Sequence, residues 1–183
     1  MPDKDVETIE DLIYYQYAKI IAKSASRDGK KKNYGFIKRK FLDLKSGKIS
    51  WSDILREDMQ FIESEKVCIY CGATENLTKD HIIPKSISIN ERCKTCDAVQ
   101  GVHNIIWACK SCNSKKGTKG LYEVYRDIYP DEKKFFDKIP PLLEKKYLKI
   151  VYRCCNCADK LCNEIDPKTG SVLDIDESLN EFK

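Results

Sequence analysis

The residues best equipped for chemistry lie between Cys68 and Gly117. Cys68-x-x-Cys71 opens the segment, Lys79-Asp80-His81-Ile82-Ile83-Pro84 follows, then Asn104, and then Cys109-x-x-Cys112-Asn113. A two-residue gap lets a cysteine pair sit on a tight knuckle and present both thiolates at the angle of a tetrahedral zinc. Two such pairs make a four-sulfur site with no open position, so this zinc is expected to be structural. Four unconnected thiols would not need both spacings. Leu77 to Ile83 between the pairs reads as a short strand. Neighbours on a strand point to opposite faces, so Asp80 and His81 need a local bend to reach one target.

The elements that must position these residues follow from periodicity. Residues 5–23 carry Val6, Ile9, Leu12, Ile13, Tyr17, Ile20 and Ile21 at three- and four-residue spacing, which predicts an amphipathic helix. Ser24 to Asn33 is polar and reads as a loop. Residues 34–46 are helical again, with Tyr34, Ile37, Phe41 and Leu44 on one stripe. Ser50-x-x-Asp53 resembles a capping box and predicts a third helix to about Ile62. Gly120 to Ile128 and Asp131 to Lys138 predict two short helices split by Pro130. Pro140-Pro141 opens a helix to about Tyr152, since proline suits the first turn. The acidic tail from Asn163 reads as a solvated end, because Asp166, Asp174, Asp176 and Glu177 lack the spacing of a calcium loop. The chain therefore divides into a helical N-terminal region (1–65), a cysteine core (66–119) and a helical C-terminal region (120–183).

Charge is unevenly placed along the 183 residues, whose formal net charge is +4. Residues 19–48 hold eleven basic and two acidic side chains, among them Lys30, Lys31, Lys32, Lys38, Arg39 and Lys40. Such a concentration suits a phosphate backbone; a solvated surface, or a region that only stabilises or dimerises the core, is the plainer reading. Lys115 and Lys116 after Asn113 are further candidates for backbone contact. No apolar run is long enough for a membrane span. The opening Met1-Pro2-Asp3-Lys4-Asp5 is charged with no apolar stretch behind it, against a secretory signal. The expected compartment is the cytoplasm, where ten cysteines read as metal ligands rather than disulfides.

Asp80-His81-Ile82-Ile83-Pro84, Asn104 and Cys109-x-x-Cys112-Asn113-x-x-Lys116 together resemble the HNH endonucleases, over about residues 66–119. The resemblance implies an α+β chain: a small zinc-bound ββα-metal core with helical flanks. It implies that His81 is the general base that deprotonates the attacking water. Asp80 and Asn113 would be the ligands of a catalytic divalent cation, and Asn104 would brace the loop carrying His81. A carboxylate and an amide oxygen are hard ligands suited to Mg²⁺ or Mn²⁺, and neutral histidine can activate water near pH 7. The implied activity is hydrolysis of DNA, double-stranded by expectation, to 5′-phosphate and 3′-hydroxyl ends. The setting stays open between type II restriction, which would call for a homodimer with one site per strand, and a phage or homing nicking enzyme. A non-catalytic zinc-stabilised nucleic-acid-binding module is the alternative from another class. His103 is expected to pack or touch phosphate, and Trp107 to lie in the core.

The chain departs from the common pattern between Pro84 and Asn104, where Cys93-x-x-Cys96 adds a pair. Cys154-x-x-Cys157 has matching spacing, so a second structural zinc at Cys93, Cys96, Cys154 and Cys157 is expected, with Cys155 or Cys162 as alternative ligands. It would pin the C-terminal helices to the loop before Asn104.

Overall fold

The computed structural model describes residues 4–25, 34–51, 64–86, 96–165 and 171–180. The first helix, α1 (Ile9–Ser24), starts where Thr8 Oγ1 accepts the Asp11 amide at 3.2 Å, a side-chain cap for a donor the helix itself cannot satisfy. Its Ile9, Leu12, Ile13, Tyr17 and Ile20 are buried, as the spacing predicts. The amides of Ile9 and Glu10 reach the carbonyls of Asn163 and Leu161, both at 3.0 Å, so the C-terminal loop closes over the start of α1.

Helix α2 (Tyr34–Lys45) packs on α1 through Phe41 and Leu44, with Tyr15 edge-on to Phe41 at 5.8 Å. Its lysines are tied inward. Lys38 meets Asp5 at 2.7 Å, Lys45 meets Asp11 at 2.9 Å, and Asp43 takes Lys40 at 3.5 Å and Lys48 at 3.7 Å. Four of the eleven cations of the basic block thus pair with acids of this region. The expected third helix lies mostly on residues 52–63, outside the described residues.

The cysteine core holds the sheet. Strands β1 (Leu77–His81) and β2 (Ile105–Cys109) pair antiparallel in the register Leu77 to Cys109, Thr78 to Ala108, Lys79 to Trp107, Asp80 to Ile106 and His81 to Ile105. Between them, among the described residues, come α3 (Asp97–Gln100) and a 3₁₀ turn, Val102–Asn104. Helix α4 (Lys110–Lys116) starts where β2 ends and packs against both strands. A two-stranded sheet and a seven-residue helix are too small to stand alone in water, so neighbours must hold them. Trp107 is not core as expected: it is half-buried on the outer side of the sheet, with Lys66 5.2 Å from its ring centre.

The C-terminal region supplies the support. Helix α5 (Leu121–Ile128) is followed by a short 3₁₀ turn, Phe135–Lys138, in place of the helix expected from Asp131. Helix α6 (Pro141–Cys157) runs a turn beyond the expected end at Tyr152 and packs against α1, α3 and the Val102–Asn104 turn. Cys154 and Cys157 are therefore on its last turn and not on a knuckle. The tail corrects the expectation of a solvated end. It forms α7 (Leu173–Asn180), whose Ile175, Asp176 and Leu179 are buried. Asp176 accepts the Glu123 amide at 2.7 Å at the start of α5, and the Tyr147 hydroxyl of α6 donates to its other oxygen. Among the described residues no helix is long and apolar enough to cross a membrane.

The approach of Asp176 to α5 requires glycine at position 120, where a Cβ would lie 2.3 Å from Asp176 Cγ. Asp176 is fully buried and cannot step aside. Gly120→Ala should therefore cost about 1–3 kcal/mol of stability, the range for overpacking a filled site, measured by urea unfolding. An unchanged midpoint would contradict this docking of α7.

Candidate functional site

The knuckle from Cys68 to Cys71 is closed by two backbone bonds, Cys68 N–H to Ala73 O at 2.7 Å and Gly72 N–H to Cys68 O at 2.8 Å. Gly72 turns the chain at φ +77°, a left-handed conformation that glycine adopts without steric cost. The Ile69 amide then reaches Trp107 O at 3.0 Å, fastening the knuckle to β2. At the other end, Cys109 caps α4: its sulfur accepts the Cys112 amide at 3.4 Å. That amide is the main reason the Cys109 thiol is lowered to about 7. The four sulfurs of Cys68, Cys71, Cys109 and Cys112 all lie within 4.8 Å of one another. Four converging soft donors fit a tetrahedral zinc.

Asp80 follows from the strand alternation. It is 6% exposed, on the side of the sheet that meets α4, while Lys79 faces solvent. One carboxylate oxygen accepts the Tyr70 hydroxyl at 3.0 Å. The other accepts the His81 amide at 2.7 Å and faces Lys116 Nζ at 3.4 Å. Lys116 is 2% exposed, so it corrects the expectation of a phosphate-contacting side chain. Burial lowers its pKa, and Asp80 opposes that shift. Tyr70 sits inside the Cys68–Cys71 knuckle, and burial and the Asp80 charge hold the pKa of its hydroxyl well above its ordinary value, so it donates.

Asn113 lies one turn before Lys116 on α4. Its amide nitrogen donates to Thr78 Oγ1 at 3.0 Å, and the Thr78 hydroxyl donates to Ala108 O at 3.1 Å. Thr78 and Asp80 share one strand face, so Asn113 and Lys116 meet two successive positions of β1. The set offers hard oxygens, and a cationic group already stands beside the carboxylate. The oxygens suit a Mg²⁺-type ion, for which the Lys116 ammonium would have to give way at Asp80.

Asn104 is fully buried between the loop and the strand end. Its side-chain oxygen accepts Ile83 N–H at 2.8 Å, and its amide donates to Ile83 O at 2.7 Å and Val99 O at 2.8 Å. Its backbone carbonyl accepts Ile82 N–H at 2.9 Å. These bonds fix the two residues directly after His81. His81 ends β1 half-buried, and burial, followed by the nearby Lys85 charge, holds its pKa below 6.5, so the neutral imidazole is favoured at neutral pH. His103 is half-buried on the 3₁₀ turn.

Tyr70 and Thr78 were missed by the sequence reading. Thr78 stands two residues before Asp80, on the same strand face, and that spacing was the available signal. Lys79, Lys85, Lys110 and Lys115 are exposed and make no ion pair with the described residues, in contrast to Lys38 and Lys40; Arg39 is also exposed. Lys30, Lys31, Lys32 and Cys93 lie outside the described residues. Among the described residues the gathered cysteine group is Cys68, Cys71, Cys109 and Cys112; Cys96, Cys154 and Cys157 do not converge into another. Cys155 is buried beside Ser178, at 3.7 Å, and Cys162 is exposed.

Residues 68–119 match the family model of the HNH endonucleases. That span begins at the first knuckle cysteine and ends just beyond α4. Comparison with curated proteins and with solved structures gave no match.

Replacing Cys112 with serine should lower bound zinc by about one equivalent per chain and unfold the core, since binding energy at such a site is folding energy. Metal analysis and the near-ultraviolet signal of Trp107, read in a Trp51→Phe background, report the two effects. Unchanged zinc content would contradict the four-sulfur site.

Proposed function

We propose that this chain is a metal-dependent HNH endonuclease that hydrolyses DNA phosphodiester bonds, leaving 5′-phosphate and 3′-hydroxyl ends. The observation that carries the reading is the packing of α4 on β1 inside the matched span. It sets Asp80 and Asn113 on the same side of the sheet and leaves His81 at the strand's end, half-buried and favoured neutral.

In this reading Asp80 and Asn113 would hold a Mg²⁺ or Mn²⁺ ion, which would supply positive charge for the leaving 3′ oxygen. His81 accepts a proton from the attacking water. Asn104 keeps the backbone after His81 from moving, and Lys116 balances the Asp80 charge. The four-cysteine zinc is structural. Phosphate contact falls to Lys79, Lys85, Lys115 and Arg39, which are exposed and form no ion pair among the described residues, since Lys38 and Lys40 already pair with acids. Double-stranded DNA is the proposed substrate. Type II restriction, with two copies each cutting one strand, is the proposed setting.

A second reading, a zinc-stabilised nucleic-acid-binding module without catalysis, is favoured by one observation. Lys116 and Tyr70 already engage both oxygens of Asp80, as a purely structural carboxylate would be engaged.

Incubation of supercoiled plasmid with Mg²⁺ or Mn²⁺ separates the two. The nuclease reading expects cleavage that falls at least about 100-fold in His81→Ala, the lower range for losing a general base, with DNA binding retained. Discrete linear products would support a dimer that cuts both strands, and open circles a nicking monomer. Wild-type protein that binds DNA and leaves the plasmid intact in both metals would overturn the nuclease reading.

A further inference from the structure

The amide of Asn113 could present either end to its surroundings, and only its oxygen can bind a cation. The hydrogen bonds around Thr78 decide which end points where. Ala108 O lies 3.1 Å from Thr78 Oγ1. A carbonyl can only accept, so the single hydroxyl proton is committed to it. Thr78 Oγ1 is then left with lone pairs alone on its other side. The Asn113 group 3.0 Å away must therefore be the amide nitrogen, and its oxygen is turned away from the Thr78 hydroxyl. Ala108 and Thr78 are direct partners in the strand register, so the backbone of the sheet anchors this chain of bonds.

We propose that Thr78 is a positioning residue for metal binding: its hydroxyl, oriented by Ala108 O, fixes the Asn113 amide so that the oxygen is offered to the catalytic cation. The inference rests on the nuclease reading above, with Asn113 as a ligand. Partners that orient a ligand of this kind are commonly worth about 10–100-fold in metal affinity. Valine at position 78 keeps the shape and strand preference of threonine but has no hydroxyl. With valine, neither end of the amide is preferred. Serine keeps the hydroxyl and loses only the methyl group.

The test compares wild type, Thr78→Val and Thr78→Ser, each loaded with zinc. Binding of Mn²⁺ without DNA is read by the electron paramagnetic resonance of the free ion. The Mn²⁺ concentration for half-maximal plasmid cleavage is measured beside it. Thr78→Val should weaken Mn²⁺ binding about tenfold and raise the half-maximal concentration by a similar factor, with zinc content and melting temperature at least as high as wild type. Thr78→Ser should restore both to within about threefold of wild type, even if it melts lower; a purely structural role would rank the variants the other way. Mn²⁺ binding indifferent to valine, or equally weakened by serine, would overturn the proposal alone. Wild-type protein that takes up no Mn²⁺ and does not cleave would overturn the proposal together with the reading it rests on.

Discussion

The convergence of four sulfurs at Cys68, Cys71, Cys109 and Cys112 joins the knuckle before β1 to the point where β2 becomes α4. Its position decides the geometry of the site. β1 and β2 are separated by a long connection and not by a tight hairpin turn, so no short loop sets their register. The knuckle does so from the far end, with Ile69 bonded to Trp107 O and Lys110 N–H bonded to Asn76 O at 3.0 Å. Because Cys109 is at once the last residue of β2, a sulfur of the quartet and the cap of α4, the same group sets the direction in which α4 leaves the sheet.

That direction brings two polar contacts into line. Along β1, Thr78 and Asp80 are about 6.6 Å apart at the usual strand rise. Along α4, Asn113 and Lys116 are about 4.5 Å apart at the usual helical rise. The short asparagine meets Thr78, and the longer lysine covers the remaining distance to Asp80. Tyr70 reaches the same carboxylate from inside the knuckle, so the four-cysteine cluster and the candidate catalytic site are joined by a hydrogen bond. The C-terminal helices complete the support at a distance. α6 packs under the turn that carries Asn104, and Asp176 of α7 fixes α5, which follows α4 in the chain.

The cysteine spacings, the strand around Asp80 and helices α1, α2 and α6 were legible in the sequence because each depends on local spacing. Asn104 is tied to the two residues just after His81. What stayed hidden depended on partners distant in sequence. Asp176 reads as a tail acid until Gly120 and Tyr147 are placed around it. Lys116 reads as a surface lysine until α4 is laid on the sheet with Asp80 beneath it. The charge of the N-terminal block was countable, but its pairing with Asp5, Asp11 and Asp43 was not. Cys154 and Cys157 show the limit of spacing alone. A gap of two residues suits a zinc knuckle, yet it also fits the last turn of a helix, where residues three apart share a face.

The account turns on Asp80 and Asn113 sharing one divalent cation. Crystals of the zinc-loaded protein soaked in MnCl₂ test this by anomalous scattering. The account predicts a manganese peak bonded to an Asp80 carboxylate oxygen and to Asn113 Oδ1, with the Lys116 ammonium drawn away from Asp80. A saturating soak that leaves the Lys116–Asp80 bridge intact, with no manganese at either residue, would contradict it.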